Sequence, residues 1–154
     1  MKVAVAGNKL VGAIADYVVS LVEELGHEPL AIRTDGEDDS EFPDLAFLAG
    51  TAVSQGRADR AIVFCGSGNC SAIAANKIKA VRASLCTDAT FAQLSRLHFD
   101  ANVLCLSGKW LDHGETRNIV EAWLRTEFSN KPRHARRIRK IHAIESGLDP
   151  RTVQ

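Results

Sequence analysis

Short apolar runs alternate with longer amphipathic stretches along the chain, and this alternation predicts its secondary structure. The runs Lys2–Ala6 and Arg60–Cys65 are apolar almost throughout, which is typical of strands buried on both faces of a parallel sheet. Between Ile14 and Leu25, by contrast, apolar residues recur with helical spacing, and Gly26 follows as a suitable helix C-cap. The pattern therefore predicts strands that alternate with helices.

The remaining apolar runs continue this alternation to the end of the chain. Further strands are expected at Glu28–Arg33, Ala80–Cys86 and Val103–Ser107. Further helices are expected at Phe42–Gln55, Ser71–Lys77, Ala89–Leu97, Gly114–Glu127 and Arg133–Glu145. This alternation predicts a single α/β domain over residues 1–154, with a parallel, doubly wound sheet that helices cover on both faces.

Such a sheet binds its ligands at the carboxyl ends of its strands. The candidate binding positions are therefore the segments that follow the expected strands: Gly7–Leu10, Arg33–Asp35, Cys65–Cys70, Thr87–Asp88 and Ser107–Lys109. The last expected helix has no strand after it. We expect it either to cover an edge of the domain or to cross to another subunit.

Composition and charge exclude several classes of protein. The 19 Lys and Arg residues balance 19 Asp and Glu residues, so we expect neither nucleic acid nor a membrane surface as a partner. No apolar stretch is long enough for a signal peptide or a membrane span, which predicts a cytoplasmic protein. In that compartment the four cysteines stay reduced, and they lack the paired spacing of a zinc site.

One segment departs from this balance, because Lys131–Lys140 contains six Lys or Arg residues. It could be a solvated helix face or a patch that binds nucleic acid. It could also clamp a phosphate, because Arg133 and Arg137 are four residues apart and share one face of a helix. The pattern alone leaves these alternatives open.

The strongest chemical signal is the loop Cys65-Gly66-Ser67-Gly68-Asn69-Cys70, between a buried strand and a helix. Glycines at such a turn let backbone N–H groups point at an anion, and the helix adds its positive end. The loop is neither a Walker A motif nor a dinucleotide fingerprint, because it lacks Gly-Lys-Ser/Thr and a third glycine. Since Cys65 ends the strand and faces the same crevice, its thiol is a candidate base.

Two residues elsewhere are candidates for the same crevice. His98 precedes the strand that should neighbour the strand of Cys65, so we expect it to reach the crevice and act as an acid or base. A lone histidine is, however, more often structural. Lys109 ends the fifth strand and could supply a third cation beside Arg133 and Arg137.

These residues, together with others along the chain, resemble the B-type ribose-5-phosphate isomerase family, which also includes the galactose-6-phosphate isomerase subunits. The resemblance runs from Met1 to about Ile144. The motifs that carry it are Cys65-Gly-Ser-Gly68, Ile73-Ala-Ala-Asn-Lys77, Val81-Arg-Ala83, Ser95-Arg-Leu-His98, Asp100-Ala-Asn-Val-Leu104, Ala122-Trp-Leu124, Thr126-Glu-Phe128 and Arg133-His-Ala-Arg-Arg137.

The resemblance implies a Rossmann-like, three-layer α/β/α fold with five parallel strands. It implies a homodimer or tetramer with shared active sites, in which the C-terminal helix, residues 133–145, extends to the partner subunit. It also implies a reaction that interconverts aldose and ketose phosphates through a cis-enediolate, with no metal and no cofactor.

The resemblance further implies a role for each candidate residue. Cys65 corresponds to the base that moves a proton between C1 and C2, Ser67 to the hydroxyl that assists transfer between oxygens, and His98 to the residue that opens the sugar ring. An enediolate needs preorganised N–H donors. The backbone amides that correspond to this anion hole belong to Gly66, Gly68, Asn69 and Cys70. The residues that correspond to phosphate ligands are Lys109, Arg133 and Arg137.

Five positions depart from the pattern of the family. Asn8 and Lys9 replace an aspartate and a histidine that contact the sugar and the phosphate. The other three departures are Phe42 in place of tyrosine, Phe99 in place of the asparagine after the ring-opening histidine, and Cys70 in place of a glycine. The substrate-binding candidates on the sugar side are therefore Asn8, Lys9 and Phe99.

These departures bear on the substrate, because a buried polar group matched to a hydroxyl can discriminate strongly. Ribose 5-phosphate therefore cannot be assumed, and a tetrose, pentose or hexose phosphate stays open. A second function also stays open: a sugar-phosphate-binding subunit with weak or no activity alone, which works beside a paralogue. Cys70 could, in addition, form a redox pair with Cys65.

Overall fold

The computed structural model describes residues 1–33 and 41–153 and contains a five-stranded, all-parallel sheet. Its strands are β1 (Lys2–Ala6), β2 (Glu28–Ile32), β3 (Arg60–Cys65), β4 (Ala83–Leu85) and β5 (Val103–Ser107). They lie in the order β2-β1-β3-β5-β4, so the expected pairing of β5 with the strand of Cys65 is confirmed. Thr34 and Asp35 of the expected crevice lie outside the described residues.

The described chain contains six helices, five of which pack on the two faces of this sheet. The six helices are α1 (Gly12–Glu24), α2 (Phe42–Ser54), α3 (Asn69–Ala75), α4 (Ala89–Phe99), α5 (His113–Arg125) and α6 (Pro132–Glu145). One face of the central strands, with Ile62 and Phe64, packs against α1, α4 and α5, and the other, with Ala61 and Val63, packs against α2 and α3. The predicted α/β fold with helices on both faces is confirmed. No helix among the described residues is long and apolar enough to cross a membrane.

The fourth strand is shorter than the sequence predicted, because it begins at Ala83 rather than at Ala80. Ala80 has a positive φ of 65°, and the Val81 N–H donates to the Ile78 carbonyl at 3.1 Å. Val81 is only 4% exposed, so its apolar side chain anchors a turn in the core instead of extending a strand.

The basic helix α6 packs against α4 of its own chain, where the ring of His134 contacts that of His98, and its buried residues are His134 and Ala143. Its arginines Arg133 and Arg137 lie on the exposed face. This helix therefore packs on its own chain, and both expected roles, covering an edge of the domain and extending to a partner subunit, stay predictions.

Candidate active site

Cys65 lies at the carboxyl end of β3 and is 1% exposed. The loop that follows wraps around its sulfur, because the Gly68 N–H donates to Cys65 Sγ at 3.0 Å. Gly68 has a φ of +84° and immediately precedes α3, so the helix begins two residues earlier than predicted. A Cβ at this position would overlap Leu85 Cδ1 and approach the Leu106 backbone to 3.2 Å. Only glycine allows the chain to turn this closely around the thiol.

The Gly68→Ala variant is expected to be destabilised by about 1–3 kcal/mol, because alanine is strained at a positive φ and its methyl group would overlap Leu85. Urea unfolding measures the free energy. Gly56→Ala is the matched control, because Gly56 has a φ of +71° and nothing lies within 4 Å of its Cβ position. Equal losses in the two variants would show that Gly68 is required only for its backbone conformation.

The exposed residues of the same loop are Ser67, Asn69 and Cys70. Ser67 Oγ accepts hydrogen bonds from the backbone N–H and the side-chain Nδ2 of Asn69, both at 3.3 Å. Two of the four expected anion-hole amides, those of Gly68 and Asn69, therefore donate within the loop. Among the described residues, the amides of Gly66 and Cys70 find no acceptor.

Cys70 lies beside the catalytic candidate without being bonded to it. Desolvation raises the pKa of the Cys70 thiol above its ordinary value, and the nearby Cys65 and Glu41 add to this shift. All four cysteines have free thiols in this structure. The redox pairing of Cys65 with Cys70 stays a hypothesis.

Asn8 and Lys9 follow β1 at the same edge of the sheet. The Asn8 side chain is almost buried, and its Oδ1 accepts the Leu10 N–H at 3.2 Å, which caps a 3-10 turn over Lys9–Val11. The amide that stands in place of the family's aspartate is thus used, at least in part, to hold this turn. Lys9 is exposed beside it.

The segment after β5 is tied to the Cys65 loop by hydrogen bonds. The Gly108 N–H donates to the Cys65 carbonyl at 2.8 Å, and Ser107 Oγ donates to the Gly66 carbonyl at 2.7 Å. Lys109 is exposed, and its Nζ lies 5.2 Å from the centre of the Trp110 ring, a cation–π distance. Lys109 therefore lies at the same end of the sheet as Cys65.

A cavity of about 290 Å³ opens beside these loops. Its polar lining comes from Ser67, Thr87, Ser107 and Glu115, and the Trp110 ring forms one wall. Trp110 and Glu115 were not among the residues predicted for the site. The one signal in the sequence that could have identified this wall of the cavity is a tryptophan next to Lys109, just after an expected strand.

His98 lies at the opposite end of the sheet from Cys65, so the expectation that it reaches the crevice within its own chain is wrong. It belongs to the last turn of α4, which runs antiparallel to the strands, and β5 begins only at Val103. The partner of Cys65 in the sheet is Ser107, at the far end of β5. A residue that precedes a strand lies at its amino end, and five residues of β5 span roughly 16 Å.

His98 instead joins a cluster with residues of α6. Its ring lies 4.3 Å from the ring of His134, and the Phe99 ring meets it edge-on at 6.0 Å. His134 is 2% exposed, with Nδ1 at 2.6 Å from Ser129 Oγ and Nε2 at 3.1 Å from Arg133 Nε. Because Arg133 Nε can only donate, His134 Nε2 must accept, and its ring is neutral with the proton on Nδ1.

His134 and Ser129 were not predicted as site residues. Their contacts arise where α6 meets the end of α4, and the only local signal was the position of His134 next to Arg133. The structure thus groups Cys65, Ser67, Asn8, Lys9 and Lys109 at one end of the sheet. It groups His98, Phe99, Arg133 and Arg137 at the other.

Burial lowers the pKa of His134 below its ordinary value, and the neighbouring His98, Arg133, Arg137 and Lys131 lower it further. In the unfolded chain His134 takes up a proton near pH 6.5, whereas in the folded chain it does so only at lower pH. The free energy of unfolding is therefore expected to fall as the pH drops through about 6.5 toward the folded pKa.

This pH dependence is expected to be weaker in His134→Gln, because glutamine keeps an acceptor for Arg133 but does not titrate. Urea unfolding at about pH 7.5 and at about pH 5.5 measures the slope, which should be steeper in the unmodified protein. Equal slopes would assign the pH dependence to other groups.

The part of the chain that the structure describes contains no candidate metal site. There, no group of three or more His, Cys, Asp or Glu side chains is arranged to hold a metal ion. The acid–base candidates described above are side chains of the protein itself, and the anion-hole candidates are its backbone amides.

Comparison with known proteins gives these features a context. The family model described as Ribose/Galactose Isomerase matches residues 3–141. Ribose-5-phosphate isomerase B of Escherichia coli is 35% identical over 146 residues, which cover 94% of this chain and 97% of the relative. D-erythrulose-4-phosphate isomerase 2 of Mycolicibacterium smegmatis is 36% identical over 132 residues, or 85% and 82% of the two chains. The structure of ribose-5-phosphate isomerase B from Mycoplasma genitalium with bound ribulose-5-phosphate has a TM-score of 0.84 at 31% identity, covering 94% and 95% of the chains.

The fold, the thiol in its glycine-rich loop and these matches together define a small α/β sugar-phosphate isomerase. The match over residues 3–141 and the identity to full-length relatives confirm the resemblance found in the sequence. The chain belongs to the ribose/galactose isomerase family.

Proposed function

We propose that this chain is a metal-independent aldose–ketose isomerase that moves a proton between C1 and C2 of a phosphorylated sugar, with Cys65 as the base. The observation that carries the proposal is the contact between Cys65 Sγ and the Gly68 N–H at 3.0 Å, at the carboxyl end of the central strand. This N–H fixes the position of the sulfur at the edge of the sheet where ligands bind, and a cysteine sulfur held there can act as the base that takes the proton from carbon.

The rest of the loop supports the charged intermediate of this reaction. Removal of a proton next to the carbonyl produces a cis-enediolate, which needs N–H donors that are already in place. The amides of Gly66 and Cys70 have no acceptor among the described residues and are offered to this oxyanion. The exposed Ser67 hydroxyl lies in the same loop, where it carries a proton between O1 and O2.

A second copy of the chain completes the proposed site. His98, Arg133 and Arg137 lie at the end of the sheet remote from Cys65, so one chain cannot bring them to the same sugar. In the proposed homodimer or tetramer, the His98 end of one chain meets the Cys65 end of another. There His98 opens the sugar ring, and Arg133 and Arg137 bind the phosphate with Lys109 of the facing chain.

The proposed substrate class is a phosphorylated sugar of four to six carbons. The relatives are named for different members of this class: one for ribose 5-phosphate and one for D-erythrulose 4-phosphate. Asn8 uses one lone pair of its Oδ1 on the Leu10 N–H, and the Phe99 side chain cannot hydrogen-bond, so these two positions offer fewer groups to the hydroxyls of this sugar. This favours a short substrate such as a tetrose phosphate.

The decisive experiment incubates the purified protein in D2O with D-erythrulose 4-phosphate, ribose 5-phosphate or galactose 6-phosphate. We expect one of the three to be isomerised, with deuterium incorporated at the carbon that receives the proton. Binding without conversion or deuterium exchange would instead support a subunit that needs a paralogue. If the protein neither binds nor converts any of the three sugar phosphates, the proposal is overturned.

A further inference from the structure

Ser107 lies between the Cys65 loop and the Lys109 turn and bonds to both. It is the last residue of β5, is 8% exposed, and pairs with Cys65 across the sheet. Its Oγ donates to the Gly66 carbonyl at 2.7 Å. The same oxygen accepts the Lys109 N–H at 3.2 Å and the Trp110 N–H at 2.9 Å.

These bonds use the full hydrogen-bonding capacity of one hydroxyl, which has one donor and two acceptor lone pairs. No apolar side chain can replace it, because the Gly66 carbonyl and two backbone N–H groups would each lose a partner. The segments it joins differ in role: Gly66 begins the loop around the Cys65 thiol, and Lys109 carries the cation next to it.

A second contact holds the same two segments close together. The Gly108 N–H donates to the Cys65 carbonyl at 2.8 Å, and a Cβ on Gly108 would overlap the Val11 side chain. The backbones after β1, β3 and β5 therefore approach one another closely here. The orientation of Gly66 and Lys109 thus depends on fixed contacts rather than on free loops, and Ser107 makes three of these contacts.

We propose that Ser107 is a positioning residue that sets the Lys109 cation relative to the Cys65–Gly66 loop, so that phosphate binding and proton transfer occur in one geometry. The inference rests on the proposed function. It predicts that loss of the hydroxyl affects both steps, since small displacements of reacting groups are costly.

The test is a comparison of Ser107→Ala and Ser107→Thr on the substrate identified above. We expect Ser107→Ala to lower kcat and to raise KM and the inhibition constant of inorganic phosphate, with about a tenfold loss in kcat/KM. Ser107→Thr keeps the hydroxyl and should recover most of the loss. If Ser107→Thr does not fold, Ser107→Gly replaces it as a second variant without the hydroxyl and should match Ser107→Ala.

Ser95→Ala is the matched control for a purely structural effect. Ser95 is 5% exposed and donates its Oγ to the Ala92 carbonyl at 2.8 Å, so its loss also removes a buried hydrogen bond. We expect its melting temperature to fall while kcat and KM stay unchanged. Unchanged kinetics in folded Ser107→Ala, or equal kinetic losses in both variants, would overturn the inference.

A double-mutant cycle tests whether Ser107 acts through Lys109. In the Lys109→Ala background, Ser107→Ala should raise the phosphate inhibition constant much less than it does in the unmodified protein. Full additivity would overturn the coupling. Failure of the proposed function gives a different result, because the unmodified protein would then convert none of the three sugar phosphates, or Cys65→Ala would keep full turnover, whatever the Ser107 variants show.

Discussion

Cys65→Ala is expected to lower turnover by about 10²–10⁴-fold, the usual effect of removing a positioned general base. KM should change little, because the phosphate ligands remain. Steady-state kinetics on the substrate found in the panel measure both constants, and loss of deuterium exchange in D2O shows that the proton-transfer step itself is affected.

The matched control is Cys105→Ala, which removes another buried thiol from the same sheet. Cys105 is 0% exposed and lies in the middle of β5, away from the carboxyl ends of the strands. We expect it to lower the melting temperature with normal turnover. Retention of turnover by a folded Cys65→Ala variant would falsify the assignment of the base.

Co-expression of two inactive variants is expected to restore activity if the site is shared between chains. One partner is Cys65→Ala, and the other is the double variant Arg133→Ala/Arg137→Ala, whose changes lie at the opposite end of the sheet. In a mixed dimer one of the two sites contains no substitution. Because random pairing places half of the chains in mixed dimers, about a quarter of the unmodified activity should return.

A second pair of variants controls for activity that returns only because mixed oligomers are more stable than oligomers of either variant alone. Cys65→Ala combined with Lys109→Ala should restore nothing, because both changes lie at the same end and every site in the mixed dimer keeps one defect. Differently tagged chains, purified through both tags, establish that mixed oligomers formed. Mixed oligomers without restored activity in the first pair would show that the site is not shared in this way.

The strands in the centre of the sheet could be predicted from the sequence. The bounds predicted for β1, β3 and β5 agree with the structure, because strands covered on both faces read as unbroken apolar runs. The fourth strand was predicted too long, since burial of Val81 in a turn gives the same apolar signal as burial in a strand.

The candidate site could be predicted only where its functional residues lie close to one another in the sequence. The loop from Cys65 to Cys70 carries its own glycines, so its geometry around the thiol could be anticipated. The location of His98 could not be anticipated in this way. His98 precedes β5 in the sequence, but α4 runs antiparallel to the strands, so its last turn lies at the amino end of β5, remote from Cys65. The contact of His134 with Ser129 and Arg133 depends on how α6 docks, which no local pattern encodes.

The separation of the two residue groups at opposite ends of the sheet has a consequence for gene duplication. In the proposed assembly, each chain lends one set of residues and borrows the other. After duplication, one copy can lose its thiol yet remain indispensable for the arginines that it supplies. The other copy can lose its arginines yet remain indispensable for its thiol. Two specialised genes can then arise through substitutions that are each tolerated, without an intermediate that lacks activity.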